Sequence, residues 1–259
     1  MKRLHFALVI IQARMSSSRL PGKVLQDIAG QSMLARVVRR ARRARSVSQV
    51  VVATTTDPAD DALYGYCRAQ GFPVFRGNQF DVLDRYYQAA RLYQAEVVVR
   101  LTSDCPLIDP AEIDHMVDEF ERSAVDFAAN RLPPPWKRTY PIGLDIEVCS
   151  FTALERAWHE AKLPFEREHV MPYFYDQEGR FKIRVVDHDP DYGSLRWTVD
   201  TPEDLEAVRR IFAAFAGDDG FSWLEVVDLY QRHPELKNIN QSVAAKTLTT
   251  VDHRLENTK

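Results

Sequence analysis

The chain has 259 residues, 45% of them apolar, which is enough to bury a core as one large domain or two small ones and excludes a disordered chain or a disulfide-stapled miniprotein. Lys plus Arg (34) nearly balances Asp plus Glu (37), for a formal charge of -3, so no global basic field marks nucleic acid as the partner. Cys67, Cys105 and Cys149 lack CxxC spacing and suit a reducing cytoplasm, no apolar run approaches the roughly 20 residues of a membrane span, and MKRLHFALVIIQAR has no small-residue cleavage site.

In chain order the first half alternates short apolar runs with helical spacing, which predicts a parallel sheet. His5 to Gln12 is a continuous apolar run, as a strand covered on both faces requires. Ser32 to Arg45 follows as a helix, Gln49 to Thr54 as a strand, Asp60 to Gln70 as a helix and Pro73 to Phe75 as a short strand. A helix over Asp81 to Tyr93 and a strand over Glu96 to Leu101 come next. Asp109-Pro110 then caps a helix, AEIDHMVDEFERS, with an acceptor followed by a proline whose missing N–H costs nothing there. Arg131 to Pro141 carries four prolines and reads as a loop over the site. Gly143 to Ser150 and Arg180 to Asp187 alternate like antiparallel strands, with helices at Phe151 to Lys162 and Phe165 to Asp176 between them, so residues 130–190 read as a small antiparallel lobe. Leu195 to Asp200 reads as a strand and Thr201-Pro202 opens another helix. Residues 1–220 thus form the main domain, and 221–259 supply a helix, Ser222 to Arg232, and a polar end from Asn238 that reads as partly disordered.

Three segments carry chemistry. Gln12 to Leu25, QARMSSSRLPGKVL, is a small-residue turn holding Arg14, Arg19 and Lys23, and its N–H groups and cations match the oxygens of a polyphosphate. It is not a Walker loop, because GxxxxGK[ST] is absent. Asp104 ends one strand and Asp200 another, and one or two carboxylates plus substrate phosphates suffice for Mg²⁺. Ligands of open α/β sheets sit at these strand ends. For each segment a bland role competes: a solvated connection for the loop, a helix cap for each aspartate.

The strings QARMSSSRLPGKVL, VVATTTDPADD, VFRGNQFDVLDRYY, TSDCPLID, GLDIEV, EREHVMPY and LRWTVDTPEDLE occur in that order from about Ile10 to Leu205. With them the chain resembles the cytidylyltransferase family that contains the 3-deoxy-manno-octulosonate (KDO) and N-acylneuraminate cytidylyltransferases, and in particular its SpsF-like branch of spore coat polysaccharide biosynthesis. The resemblance implies a Rossmann-like nucleotidyltransferase fold of the nucleotide-diphospho-sugar transferase type, an α/β fold with a mostly parallel central sheet. It further implies a homodimer that couples CTP to a sugar, a keto-sugar acid being the expected acceptor, with Mg²⁺ as cofactor and pyrophosphate as product. The family's phosphate-contacting residues fall on Arg14 and Lys23, and its metal ligands on Asp104 and Asp200. Ser16, Ser103 and Ile142 depart from the family pattern, which has glycine at the first two positions and commonly Asp at the third.

Nucleotide contacts are expected from Ala13, Arg14, Ser16, Ser17, Ser18, Lys23, Arg76, Thr102 and Asp104, with Arg76 helping to select the base. Sugar contacts are expected from Asn130, Asp145, Glu147, Arg167, Glu168 and His169, with Arg167 suited to grip a carboxylate by two parallel bonds. Two other readings compete. Asp187-His188-Asp189 imitates the DxD of glycosyltransferases that use a nucleotide-sugar donor. Arg36 to Arg45, RVVRRARRAR, could make the chain a non-catalytic anion-binding module, although helical spacing packs Val37, Val38 and Ala41 and fans the arginines outward. Neither membrane nor nucleic acid is expected as a partner.

Overall fold

The structure, a computed structural model, describes residues 6–133 and 136–243. In strand β1 (Ala7–Gln12), Val9 and Ile11 enter one hydrophobic core while Leu8 and Ile10 enter another. A period of two sends alternate side chains to opposite faces, so this run demands cover on both sides. A small antiparallel hairpin follows, β2 (Asp27–Ile28) with β3 (Gln31–Ser32), which no run in the sequence announces. Ser32 then caps α1 (Met33–Ala41), its hydroxyl accepting the Ala35 N–H at 3.1 Å. This helix stops four residues short of the expected Arg45.

Next come β4 (Gln49–Thr55), α2 (Asp61–Ala69), β5 (Val74–Gly77), α3 (Val82–Leu92), β6 (Val97–Thr102) and α4 (Pro110–Ser123), close to the positions the apolar runs and caps predict. Strand β7 (Phe127–Ala129) is too short to be visible in the sequence, and β8 (Glu147–Ser150) is half the length expected for its segment. Helix α5 (Phe151–Glu160) is as expected. The helix expected over 165–176 is two pieces, α6 (Pro164–His169) and α7 (Pro172–Tyr175), broken where Val170 turns to φ 71° and Pro172 removes a donor. Strand β9 (Ile183–Val185) pairs with β7 in parallel, not antiparallel as its alternation suggested. Helices α8 (Pro202–Ala214) and α9 (Trp223–Arg232) follow, and then a 3-10 turn over Pro234–Ile239.

The main sheet runs β5-β4-β1-β6-β8-β7-β9, and β8 alone is antiparallel to its neighbours. The short strands of the 130–190 region therefore extend the main sheet. Buried residues of α1, α4, α8 and α9 fill the core on one face and those of α3, α5 and α7 the core on the other. Residues 244–259 of the polar end lie outside the described residues, whereas Asn240 within it is buried.

Two further expectations are corrected. Leu195 to Asp200 is extended but joins no ladder beyond a single bridge to Ile142, because its N–H groups go to carbonyls at the ends of other segments: Trp197 to Ile142 at 2.6 Å and Val199 to Asp104 at 2.8 Å. Gly143, at φ 110°, makes this possible, since a Cβ there would lie 2.6 Å from the Thr198 nitrogen. The arginines of α1 do not all fan outward either. Arg36 and Arg40 are fully buried, their guanidinium carbons 4.5 Å from the ring centroids of Phe212 and Phe221. Arg36 donates to the Ile28, Ala29 and Gly217 carbonyls, and Arg40 to those of Ile108, Asp219 and Phe221. The GDDG turn leaves carbonyls without ladder partners, and buried carbonyls need donors.

Candidate active site

The neighbours of β1 set the place of the site. Its carboxyl end lies between β4 and β6, in register with Ala53 on one side and Thr102 on the other, where the order of strands reverses. Such a switch point opens a crevice. The loop from Ala13 to Lys23 crosses it and is folded by its own hydrogen bonds: Met15 O accepts from the Ser17 N–H at 3.1 Å and the Gly22 N–H at 2.9 Å. Gly22 takes φ 70°, a conformation that favours glycine, and the chain turns there to deliver Lys23 inward.

Lys23 Nζ is the centre of the site. It donates to Asp104 Oδ2 at 2.7 Å, to the Val199 carbonyl at 2.7 Å and to Asp200 Oδ1 at 3.1 Å. Arg19 adds an ion pair to Asp200 Oδ2 at 2.7 Å. Burial alone would lower the Lys23 ammonium, but the two carboxylates outweigh it and hold its pKa above the ordinary range. Burial alone would likewise raise Asp104, yet the Lys23 charge and hydrogen bond bring its carboxyl down to about 2. Two acids separated by nearly a hundred positions thus meet on one cation from the basic loop.

That geometry can be set beside known proteins. Residues 8–241 match the family model described as cytidylyltransferase. The chain belongs to the cytidylyltransferase family. It is 31% identical to the spore coat polysaccharide biosynthesis protein SpsF of Bacillus subtilis (strain 168), over 88% of this chain and 95% of that one. It is 32% identical to the 3-deoxy-manno-octulosonate cytidylyltransferase of Anaeromyxobacter sp. (strain K), over 80% of this chain and 98% of that one. A solved cytidylyltransferase from Leptospira borgpetersenii superposes with a TM-score of 0.85 at 32% identity, covering 94% of this chain and all of that one. The protein is accordingly a nucleotidyltransferase, with that fold.

In this cytidylyltransferase the cleft is lined by most of the expected nucleotide residues: Ala13, Arg14, Ser16, Ser17, Ser18, Lys23, Thr102 and Asp104, with Asp200 beside them. Glu168 and His169 at the end of α6 reach the same cleft. Arg76 does not. Its donors go to the Thr55 and Asp57 carbonyls at 2.7 and 3.0 Å and to Asp61 at 2.7 Å, so it braces the turn after β4. Four of the expected sugar residues also stand off the cleft lining with internal partners. Asn130 bonds Leu144 O and the Ile146 N–H, Asp145 pairs with Arg138, Glu147 with Arg100, and Arg167 with Asp81. Ser16 lacks the positive φ that glycine would serve there, and Ile142 lies against Leu195 and Trp197.

The DxD-like segment is elsewhere. Asp187 accepts from Thr139 Oγ1 at 3.3 Å, and the His188 ring lies 4.9 to 5.5 Å from the rings of Tyr140, Tyr192 and Trp223. Among the described residues no helix is long and apolar enough to cross a membrane.

Three contributors escaped the sequence. Asp60, 3% exposed, accepts the Met15 N–H at 2.7 Å and so pins the basic loop to the β4 turn. Its signal, DPADD, reads equally well as a helix start. Arg85 of α3 lines the cleft at 2% exposure, its Nε without a hydrogen-bond partner among the described residues and its guanidinium lowered by burial to about 10. It sits in DRYY, which looks like ordinary helix packing. Arg196 touches Asp200 Oδ2 at 3.0 Å.

Proposed function

We propose that the protein transfers a cytidylyl group from CTP to a hydroxyl of a keto-sugar acid, releasing pyrophosphate and a CMP-sugar for surface or spore coat polysaccharide. The observation that carries this reading is Lys23 bonded at once to Asp104 and Asp200 at the mouth of a serine-rich basic loop. The sugar oxygen forms a bond to the α-phosphorus, the bond from that phosphorus to the bridging oxygen of the β-phosphate breaks so that pyrophosphate departs, and the hydroxyl proton passes from the attacking oxygen to solvent. Negative charge grows on the departing pyrophosphate, and the lining of the cleft by Arg14, Arg19 and Lys23 supports a role for them and the loop N–H groups in stabilising it.

Asp104 and Asp200 fit Mg²⁺ by their chemistry: two hard carboxylate groups converge on a single cationic position that an ammonium fills. A divalent ion held there would neutralise phosphate charge and favour the ionised sugar hydroxyl. Glu168 and His169, which line the same cleft, would meet the acceptor. A cytoplasmic homodimer completes the reading; light scattering giving twice the chain mass would support it.

The decisive experiment offers CTP, UTP, ATP and GTP with Mg²⁺ to a panel of keto-sugar acids and neutral sugars while following pyrophosphate. Release from CTP with a sugar acid is expected. Release from another triphosphate in preference to CTP, or only with neutral sugars, would overturn the substrate assignment.

A further inference from the structure

The two oxygens of Asp200 are held differently. Oδ1 accepts from Lys23 at 3.1 Å, while Oδ2 accepts from Arg19 at 2.7 Å and from Arg196 at 3.0 Å. Lys23 and Arg19 both belong to the loop that lines the cleft. Arg196 does not line it; it approaches Asp200 from behind and borders a second cavity with Tyr230 and Asn240.

What holds Arg196 there is Asp204, in the first turn of α8. This carboxylate is fully buried and takes the Arg196 fork on both oxygens, Nε at 2.8 Å and Nη2 at 2.9 Å. It also accepts the backbone N–H of Asp200 at 2.9 Å, that of Thr201 at 3.2 Å and the amide of Asn240 at 2.8 Å. Asn240 closes the circuit by donating to the Arg196 carbonyl at 3.2 Å. Arg196 cannot swing away without stranding a buried charge. Arg19 is differently placed, because it stands on the loop that would meet the triphosphate.

We propose that Arg196, anchored by Asp204 and Asn240, is a positioning residue: it occupies Asp200 Oδ2 and fixes the rotation of the carboxylate so that Oδ1 is the oxygen presented to the cation position. The inference rests on the cytidylyl-transfer reading only in that Asp200 faces that position. A carboxylate free to rotate would have to be ordered anew each time a cation arrived, whereas one held from behind is ready beforehand. A planar guanidinium suits this task because one fork serves two carboxylates, which a lysine ammonium cannot match.

The test compares Arg196→Met, Arg196→Lys and Asp200→Ala with the wild type in three measurements: Mn²⁺ affinity of the CTP complex by electron paramagnetic resonance, steady-state pyrophosphate release, and melting temperature. Both Arg196 variants should lose about 10- to 100-fold in Mn²⁺ affinity and in kcat. KM for CTP should stay within about threefold, since ground-state nucleotide contacts are untouched. Arg196→Lys, which keeps a charge beside Asp204, should melt near the wild type and still be slow; it decides the matter if Arg196→Met does not fold. Wild-type Mn²⁺ affinity and kcat in Arg196→Lys, or losses that follow melting temperature alone, would overturn the positioning role. Asp200→Ala separates the two levels. If that variant keeps Mn²⁺ affinity and turnover, the underlying site is wrong, and if it loses both while the Arg196 variants lose neither, only the positioning role fails.

Discussion

Two groups of cations in this molecule look alike in sequence and differ entirely in the structure. The arginines in and after α1, RVVRRARRAR, suggest an exposed basic face, yet Arg36 and Arg40 are buried and spend most of their donors on carbonyls of the 217–221 turn and of Ile28, Ala29 and Ile108, Arg36 also pairing with Asp219 at 3.0 Å. The loop cations Arg19 and Lys23 end on carboxylates beside an open cleft. Local density of charge does not separate these cases. What separates them is the setting: a fully buried guanidinium that holds several carbonyls is a permanent donor, whereas a cation gathered by carboxylates beside an open cleft can be exchanged for another.

The contrast predicts opposite phenotypes. Replacing Asp104 or Asp200 by Ala, or Lys23 by Met, should slow pyrophosphate release by about 10² to 10³ or more while leaving a folded protein, read by kinetics and circular dichroism. Arg40→Met should do the reverse. It strands three carbonyls, each costing about 1 kcal/mol or more, so urea unfolding should report a loss of roughly 3 kcal/mol with kcat per folded molecule unchanged.

A smaller effect follows from pH. The Asp104 carboxyl is depressed from 3.8 to about 2, so its contribution to stability is complete above its unfolded value and is lost as pH falls through its folded one. The stability gap between wild type and Asp104→Asn should therefore narrow between pH 3.8 and about 2. Lys23 has the opposite sign. Its raised pKa means a contribution that is full below 10.5 and lost as pH rises through the higher folded value, so the gap to Lys23→Met should close only at strongly alkaline pH. The smallest effect belongs to exposed Arg39, whose replacement by Ala should change stability by no more than about 0.5 kcal/mol. A larger loss there would blur the distinction between buried and surface members of the run.

Much of this was legible from residue order. The continuous apolar runs of β1, β4 and β6 gave the parallel half of the sheet, and Asp109-Pro110 and Thr201-Pro202 gave the starts of α4 and α8. The spacing of small residues and cations in QARMSSSRLPGK, with Asp104 and Asp200 as acidic termini, outlined the site that Lys23 draws together. The rest depended on contacts between distant segments. Three- and four-residue strands such as β7, β8 and β9 carry too little pattern to reveal their partners or direction. Arg76, Asp145, Glu147 and Arg167 are polar and close in sequence to cleft elements, but each found an internal partner that no local pattern discloses. Asp60 and Arg196 are the converse, ordinary in sequence and joined to the site only by folding.

If the basic loop and the two acids form one site for CTP and a divalent ion, the melting temperature with CTP, in the presence and absence of Mg²⁺, should respond differently in the wild type, Asp104→Asn and Asp200→Asn. A Mg²⁺-dependent rise in the wild type, absent from both variants, is expected. Equal stabilisation of all three proteins, or a rise that ignores Mg²⁺, would mean that the loop and the acids do not share a metal-nucleotide ligand.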